Sequence, residues 1–179
     1  MANITPQHSD SDLINTYIER VVPGCDKKVL ENMWTHILNF YFPIQQSLGL
    51  ERHKTGSESE TLNLSVVKLQ LDQIYTLVFL HAKPQRARGG NTRTTWEESQ
   101  NELQARIENG LRRMLTPYSQ AYCIIALGVQ VQFFEVSENG QSIQRLYEEH
   151  RTLSLRNNPS AIHEAMLVIQ NGIGQNDEA

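Results

Sequence analysis

The chain has 179 residues, 39% hydrophobic and 20% charged, with a formal net charge of −4. That is the make-up of one soluble globular domain with room for a core, and its acidity argues against a general nucleic-acid coat while leaving room for a local basic patch. Two cysteines, Cys25 and Cys123, are too few for a disulfide framework. The polar, acidic opening MANITPQHSDSD is unlike a secretory signal, and no apolar run approaches the roughly 20 residues of a membrane helix. The expectation is an intracellular chain, nuclear or cytoplasmic.

Residues 1–10 read as disordered. Ser11 or Asp12 is placed to cap a short helix carrying Leu13, Ile14, Tyr17, Ile18 and Val21. Pro23-Gly24 stops it. Asp26 then caps a stronger helix with Val29, Leu30, Met33, Trp34, Ile37, Leu38 and Tyr41 on one stripe, ended by Pro43. Residues 46–54 suggest a strand, and TGSESET at 55–61 a polar loop.

Leu62 to Lys83, LNLSVVKLQLDQIYTLVFLHAK, is the organising stretch. It reads as two β runs broken at Asp72-Gln73. The second run is apolar on both faces, the mark of a central strand covered on both sides. A tight turn at Asp72-Gln73 would set Asn63 beside Ala82, next to His81 and Lys83. Asp72 itself lies at the far end of the hairpin, about 30 Å away at roughly 3.3 Å per residue.

The segment 84–94, PQRARGGNTRT, holds Arg86, Arg88 and Arg93 and no acid. Thr95 with Glu98 makes a capping box for a helix running to about Leu115, with Trp96, Leu103, Ile107, Leu111 and Met114 on its stripe. Tyr122 to Val136 reads as two strands around Gly128. The first is a solid apolar run; the second alternates Val129, Val131 and Phe133 inward with Gln130 and Gln132 outward. An irregular stretch or edge strand leads to a last helix opened by Asn158-Pro159, with Ile162, Ala165, Met166 and Ile169. Helices on the faces of a central sheet are the natural packing.

The stretches LNLSVV at 62–67, LHAKP at 80–84, TWEESQNEL at 95–103 and YCIIALGVQVQFFEV at 122–136 together resemble the PD-(D/E)XK nuclease superfamily, and most of all its fungal branch. There, Pro-Asp opens one strand and Glu-x-Lys closes the next. A helix follows, often starting with Trp, and then a strand pair. The resemblance covers roughly residues 26–136. It implies an α/β fold of the restriction-endonuclease-like class, a mixed central sheet flanked by helices with an N-terminal helical extension. The domain layout would be an extension over 1–24, one domain over 25–171 and a disordered tail over 172–179.

The departures decide what activity to expect. Leu62-Asn63 stands at the Pro-Asp position and His81 at the Glu of Glu-x-Lys; only Lys83 is kept. In active relatives two carboxylates hold Mg²⁺, which activates water, and the lysine stabilises charge. Asn63 offers one neutral oxygen, and an imidazole suits softer metals than magnesium. Only Glu51 and Glu102 are left to compensate. The resemblance therefore implies a pseudo-nuclease with vestigial Lys83 and His81, no cofactor, and a role in binding nucleic acid or a protein partner. Nucleic acid would be held by Lys83, Arg86, Arg88 and Arg93. Two alternatives stand beside it. One is a divergent nuclease binding Mg²⁺ or Mn²⁺ through Asn63, His81, Glu51 and Glu102. The other is a protein-interaction domain using the N-terminal helices.

Overall fold

The computed structural model describes residues 6–44, 48–53, 61–70, 72–85, 92–109, 121–136, 142–147 and 152–174. A short 3-10 helix, His8–Asp10, precedes α1 (Asp12–Arg20) and α2 (Lys27–Tyr41). Strands β1 (Leu48–Arg52), β2 (Leu62–Gln70) and β3 (Gln73–Lys83) follow, then α3 (Thr92–Asn109). Strands β4 (Tyr122–Leu127), β5 (Gln130–Val136), β6 (Ile143–Arg145) and β7 (Leu153–Ser154) and helix α4 (Pro159–Gly174) complete the order. The described strands form one seven-stranded sheet in the order β1-β2-β3-β4-β5-β6, with β7 on β5. Only β3 and β4 run parallel, joined by the stretch that contains α3; all other pairs are antiparallel. The architecture is thus mixed α/β, a mixed sheet flanked by four described α-helices.

Capping chemistry places the first two helices. The Ser11 hydroxyl accepts from the Ile14 N–H at 3.4 Å, and the Asp26 carboxylate from the Lys28 N–H at 2.6 Å. Helix α1 turns Ile14 and Ile18 inward, and α2 turns Leu30, Met33, Trp34, Ile37, Leu38 and Tyr41. These join Leu64, Val66, Leu80, Ile124 and Ala126 from the sheet and Ile162, Met166 and Ile169 from α4 in one large core. Leu13 stays exposed. Helix α1 therefore shares the core of the sheet, and residues 8–10 are ordered where the sequence reads as disordered. On the opposite face, α3 lays Leu103 and Ile107 on Phe79, Cys123, Ile125, Phe134 and Val136.

The sheet differs from the sequence reading in its register. Gln70 stands opposite Gln73, so the turn falls between them, with Asp72 at φ +60, a left-handed conformation that Asp tolerates. Partners then jump from Val67↔Thr76 to Val66↔Val78, leaving Leu77 unmatched in a β-bulge. Beyond the bulge Asn63 faces His81, not Ala82. A one-residue shift exchanges the two faces of a strand, so this bulge is what puts Asn63 and His81 on the same side.

Three further expectations are corrected. Helix α3 starts at Thr92, ahead of the Thr95 capping box. No helix breaker stands between Thr92 and Thr95, since the glycines lie upstream at 89 and 90. Arg93 therefore belongs to the helix. Gln132 is buried, not solvent-facing: it accepts from Gln100 at 3.1 Å and donates to Thr152 at 2.9 Å. Helix α4 continues to Gly174, past the expected frayed end at 172. Leu111 and Met114 lie outside the described residues.

Candidate functional site

Alternation along three strands brings one set of polar residues under α3. In register, Asn63 stands between His53 and His81, for the His53 N–H donates to the Asn63 carbonyl at 3.0 Å. The next row holds Glu51, Ser65 and Phe79. Helix α3 faces them with Ser99, Glu102 and Arg106, spaced three and four residues apart on one side of the helix.

At the centre His81 Nδ1 lies 2.9 Å from Asn63 Oδ1. His81 Nε2 is 3.3 Å from Glu102 Oε2, and Lys83 Nζ donates to Glu102 Oε1 at 2.7 Å. Asn63 and His81 are each 1% exposed, whereas the Glu102 side chain is 48% exposed, so the carboxylate closes the cluster from the solvent side. Burial pushes the His81 imidazole down to about 4. The Lys83 cation lowers it further, Glu102 opposes, and Arg106 adds to the lowering. His81 is therefore neutral at pH 7 and carries one N–H.

That single proton has one good position. A ring lone pair pointing at a carboxylate is repulsive, so Nε2 holds the proton and faces Glu102. Nδ1 must then accept, which requires the Asn63 amide to present its nitrogen rather than its oxygen, a half-turn about its last bond. In the other orientation Asn63 Nδ2 is buried without a hydrogen-bond partner among the described residues. Turning the amide gives it an acceptor in His81 Nδ1 and leaves the Nε2 proton directed at the Glu102 carboxylate, 3.3 Å away.

Beside this group His53 Nε2 meets Ser65 Oγ at 2.6 Å, and its ring tilts against Phe79 with centroids 5.6 Å apart. Burial lowers the basicity of His53; Glu51 opposes this and Arg106 reinforces it. Ser65 is fully buried, which keeps its hydroxyl from any substrate. His53, Ser65 and Ser99 escaped the reading of the sequence. A Ser within a β run at the spacing of Asn63 was the one available signal.

The expected site residues fall into two groups. Asn63, His81, Lys83 and Glu102 come together. Glu51 shares their face one row away. Among the described residues no three His, Cys, Asp or Glu side chains gather as a metal site. Magnesium would find one carboxylate, already shared by Lys83 and His81, with an amide and a buried imidazole beside it. This donor set does not fit a hard cation that takes oxygen ligands. Lys83 is ion-paired with Glu102 and its side chain is 18% exposed. Arg86 and Arg88 lie outside the described residues. Arg93 sits in the first turn of α3, and its side chain too lies outside them. No helix of the described residues is long and apolar enough to cross a membrane. No family model, curated protein or solved structure matches the chain.

Proposed function

We propose that this protein is a catalytically silent module of the restriction-endonuclease-like class that binds nucleic acid through its basic segment. The reading rests on one observation. The positions that answer to the nuclease motif, Asn63, His81 and Lys83, meet at one point and are closed there by Glu102. The element order supports it as well: a motif residue near the start of β2, two more at the end of β3, then a helix and a strand pair.

Silence follows from the chemistry of the cluster. Metal-assisted phosphodiester cleavage needs carboxylates to hold the ion that activates water. Here the one carboxylate at the cluster neutralises a lysine. His81 is also a poor general base: it is sealed from solvent, and a pKa depressed far below the working pH leaves its ring with little affinity for a proton. Binding rests on Arg86, Arg88 and Arg93, set in an acid-free run of an otherwise acidic chain. Guanidinium forks match phosphate geometry, and such contacts are sequence-blind and salt-sensitive.

The test has two arms. The protein with Mg²⁺ or Mn²⁺ is expected to leave DNA and RNA intact; cleavage that disappears in Lys83→Ala establishes the divergent nuclease instead. In fluorescence anisotropy, labelled duplex should bind with a log–log salt slope of about −3. The triple change of Arg86, Arg88 and Arg93 to Ala should abolish this binding. Equal affinity of the two proteins, or no binding at low salt, leaves the protein-partner reading.

A further inference from the structure

Away from the α3 face, a second buried polar chain joins three distant parts of the sequence. His8 Nδ1 lies 2.7 Å from Tyr41 Oη, and Tyr41 Oη lies 3.0 Å from His163 Nδ1. His8 is 0% exposed, Tyr41 2% and His163 6%. The ring of Tyr41 is tilted against both imidazoles, with centroids 5.9 and 5.7 Å away.

Proton counting assigns the bonds. Tyr41 has one hydroxyl proton and two imidazole neighbours, so it donates to one and accepts from the other. His8 Nε2 is buried with no hydrogen-bond partner among the described residues, and an orphaned lone pair is more easily accommodated than an orphaned N–H. His8 therefore donates from Nδ1 to Tyr41, and Tyr41 donates to His163 Nδ1. A second proton on His8 would put a charged N–H at Nε2 where no acceptor stands, a costly arrangement in a buried place. Burial depresses the His8 ring to about 4; the neighbouring His163 adds to this and Asp10 opposes it. The Asp10 carboxylate is turned to the Gln7 N–H at 2.7 Å.

The segment around His8 has little else to hold it. Residues 7–11 are Gln, His, Ser, Asp and Ser, with no apolar side chain among them. Their remaining links are polar: Ser160 Oγ to Gln7 Oε1 at 3.5 Å, Asn15 Nδ2 to the Ser9 carbonyl at 2.7 Å, and Ser11, which caps α1 by accepting from the Ile14 N–H at 3.4 Å and the Asn15 N–H at 3.0 Å. Helix α1 is fastened differently. Ile14, Ile18 and Val21 are in the core, and the Arg156 guanidinium donates to the carbonyls of Ile18, Glu19 and Val21 at 3.1, 3.4 and 3.0 Å. Segments with few buried apolar contacts open at lower free energy than the core.

We propose that residues 7–10 form an acid-released plug hinged at the α1 cap Ser11: His8 seats uncharged against the Tyr41–His163 pair, and a second proton on its ring expels the segment while α1 and the sheet stay in place. Release uncovers the Tyr41 hydroxyl and His163 Nδ1. The groups facing His8 are Asp10 from its own segment, Tyr41 from α2 and His163 from α4.

Hydrogen exchange of the full chain between pH 7.5 and 4, corrected for its intrinsic pH dependence, reads the device. Protection at Asp10 and Ser11, whose N–H groups bond to the Gln7 and His8 carbonyls, should fall about tenfold per pH unit once His8 titrates. Amides of α1, β3 and β4 should still be protected at that pH. His8→Phe keeps a ring of similar size that cannot protonate, and should abolish the acid-dependent loss. If the phenyl ring of that variant fails to seat, the segment exchanges freely already at pH 7.5 and Asp10→Asn decides. The Asp10 carboxylate favours the protonated ring in its seat and holds the Gln7 N–H, so removing its charge should move the release midpoint to higher pH. Protection that is constant with pH overturns the proposal. So does loss simultaneous with β3 and β4, an unchanged midpoint in a seated His8→Phe variant, or a midpoint moved to lower pH in Asp10→Asn.

Discussion

Acid should destabilise this protein well before its carboxylates titrate. His8 and His81 are both depressed from 6.5 to about 4 by burial in the native state. Between those values the unfolded chain takes up a proton on each ring and the native state does not. Stability is therefore complete above pH 6.5, falls as the pH drops through the window, and levels off below about 4. His81 contributes about 3 kcal/mol, at 1.36 kcal/mol per unit, and His8 adds up to about as much until its segment is released, on the order of 6 kcal/mol at most. That is a large part of the roughly 5–15 kcal/mol that holds a domain folded. At its steepest the dependence is two protons, about 2.7 kcal/mol per pH unit. His53, also lowered, pulls in the same direction. Urea unfolding from pH 7.5 to 4.5, read by tryptophan fluorescence and far-UV circular dichroism, measures the slope. His81→Gln keeps a donor for Glu102 and should halve it. A free energy of unfolding that stays level between pH 6.5 and 5 would refute the reasoning, because both rings would then be charged or solvated in the native state.

Other outcomes follow from single contacts. At Gly172 an added methyl would come within 3.0 Å of Tyr122 Cζ and closer still to its hydroxyl. Gly172→Ala should therefore cost about 1–3 kcal/mol despite the better helix propensity of Ala, and Tyr122→Phe in the same chain should recover part of the fall in Tm. Glu102→Gln removes the charge that favours the His81 imidazolium, so NMR of the ring should show it titrating at still lower pH. Asn63→Asp with His81→Glu restores two carboxylates beside Lys83, and calorimetry should detect Mn²⁺ binding in the double variant and not in the natural protein. Arg156→Ala loses its bonds to the last turn of α1. Since Arg156 is exposed, the cost should be modest, about 1 kcal/mol, with hydrogen exchange faster in α1 than elsewhere.

The sequence by itself determined the elements, because periodicity and capping are local. The α2 stripe from Leu30 to Tyr41, the apolar run of β4 and the buried face of α4 all carry a pattern that admits one type of structure. Caps at Ser11 and Asp26 were legible for the same reason. The candidate site was legible in part: Asn63, His81 and Lys83 could be gathered at the end of the hairpin and Glu102 named as a candidate beside them, but in a register that set Asn63 opposite Ala82. What joins them is the unmatched Leu77, which shifts the hairpin by one residue and turns Asn63 to face His81. No local pattern marks a bulge within a run apolar on both faces. The strand Gln130–Val136 misled for a related reason: alternation signals an exposed face only where nothing covers it, and α3 covers Gln132 through Gln100. The same holds for the bond from Lys83 to Glu102 and for the chain from His8 to Tyr41 to His163, the latter spanning 122 residues in its second link. Such contacts are settled by tertiary packing, because burial leaves a polar group no partner but the one that the fold brings to it.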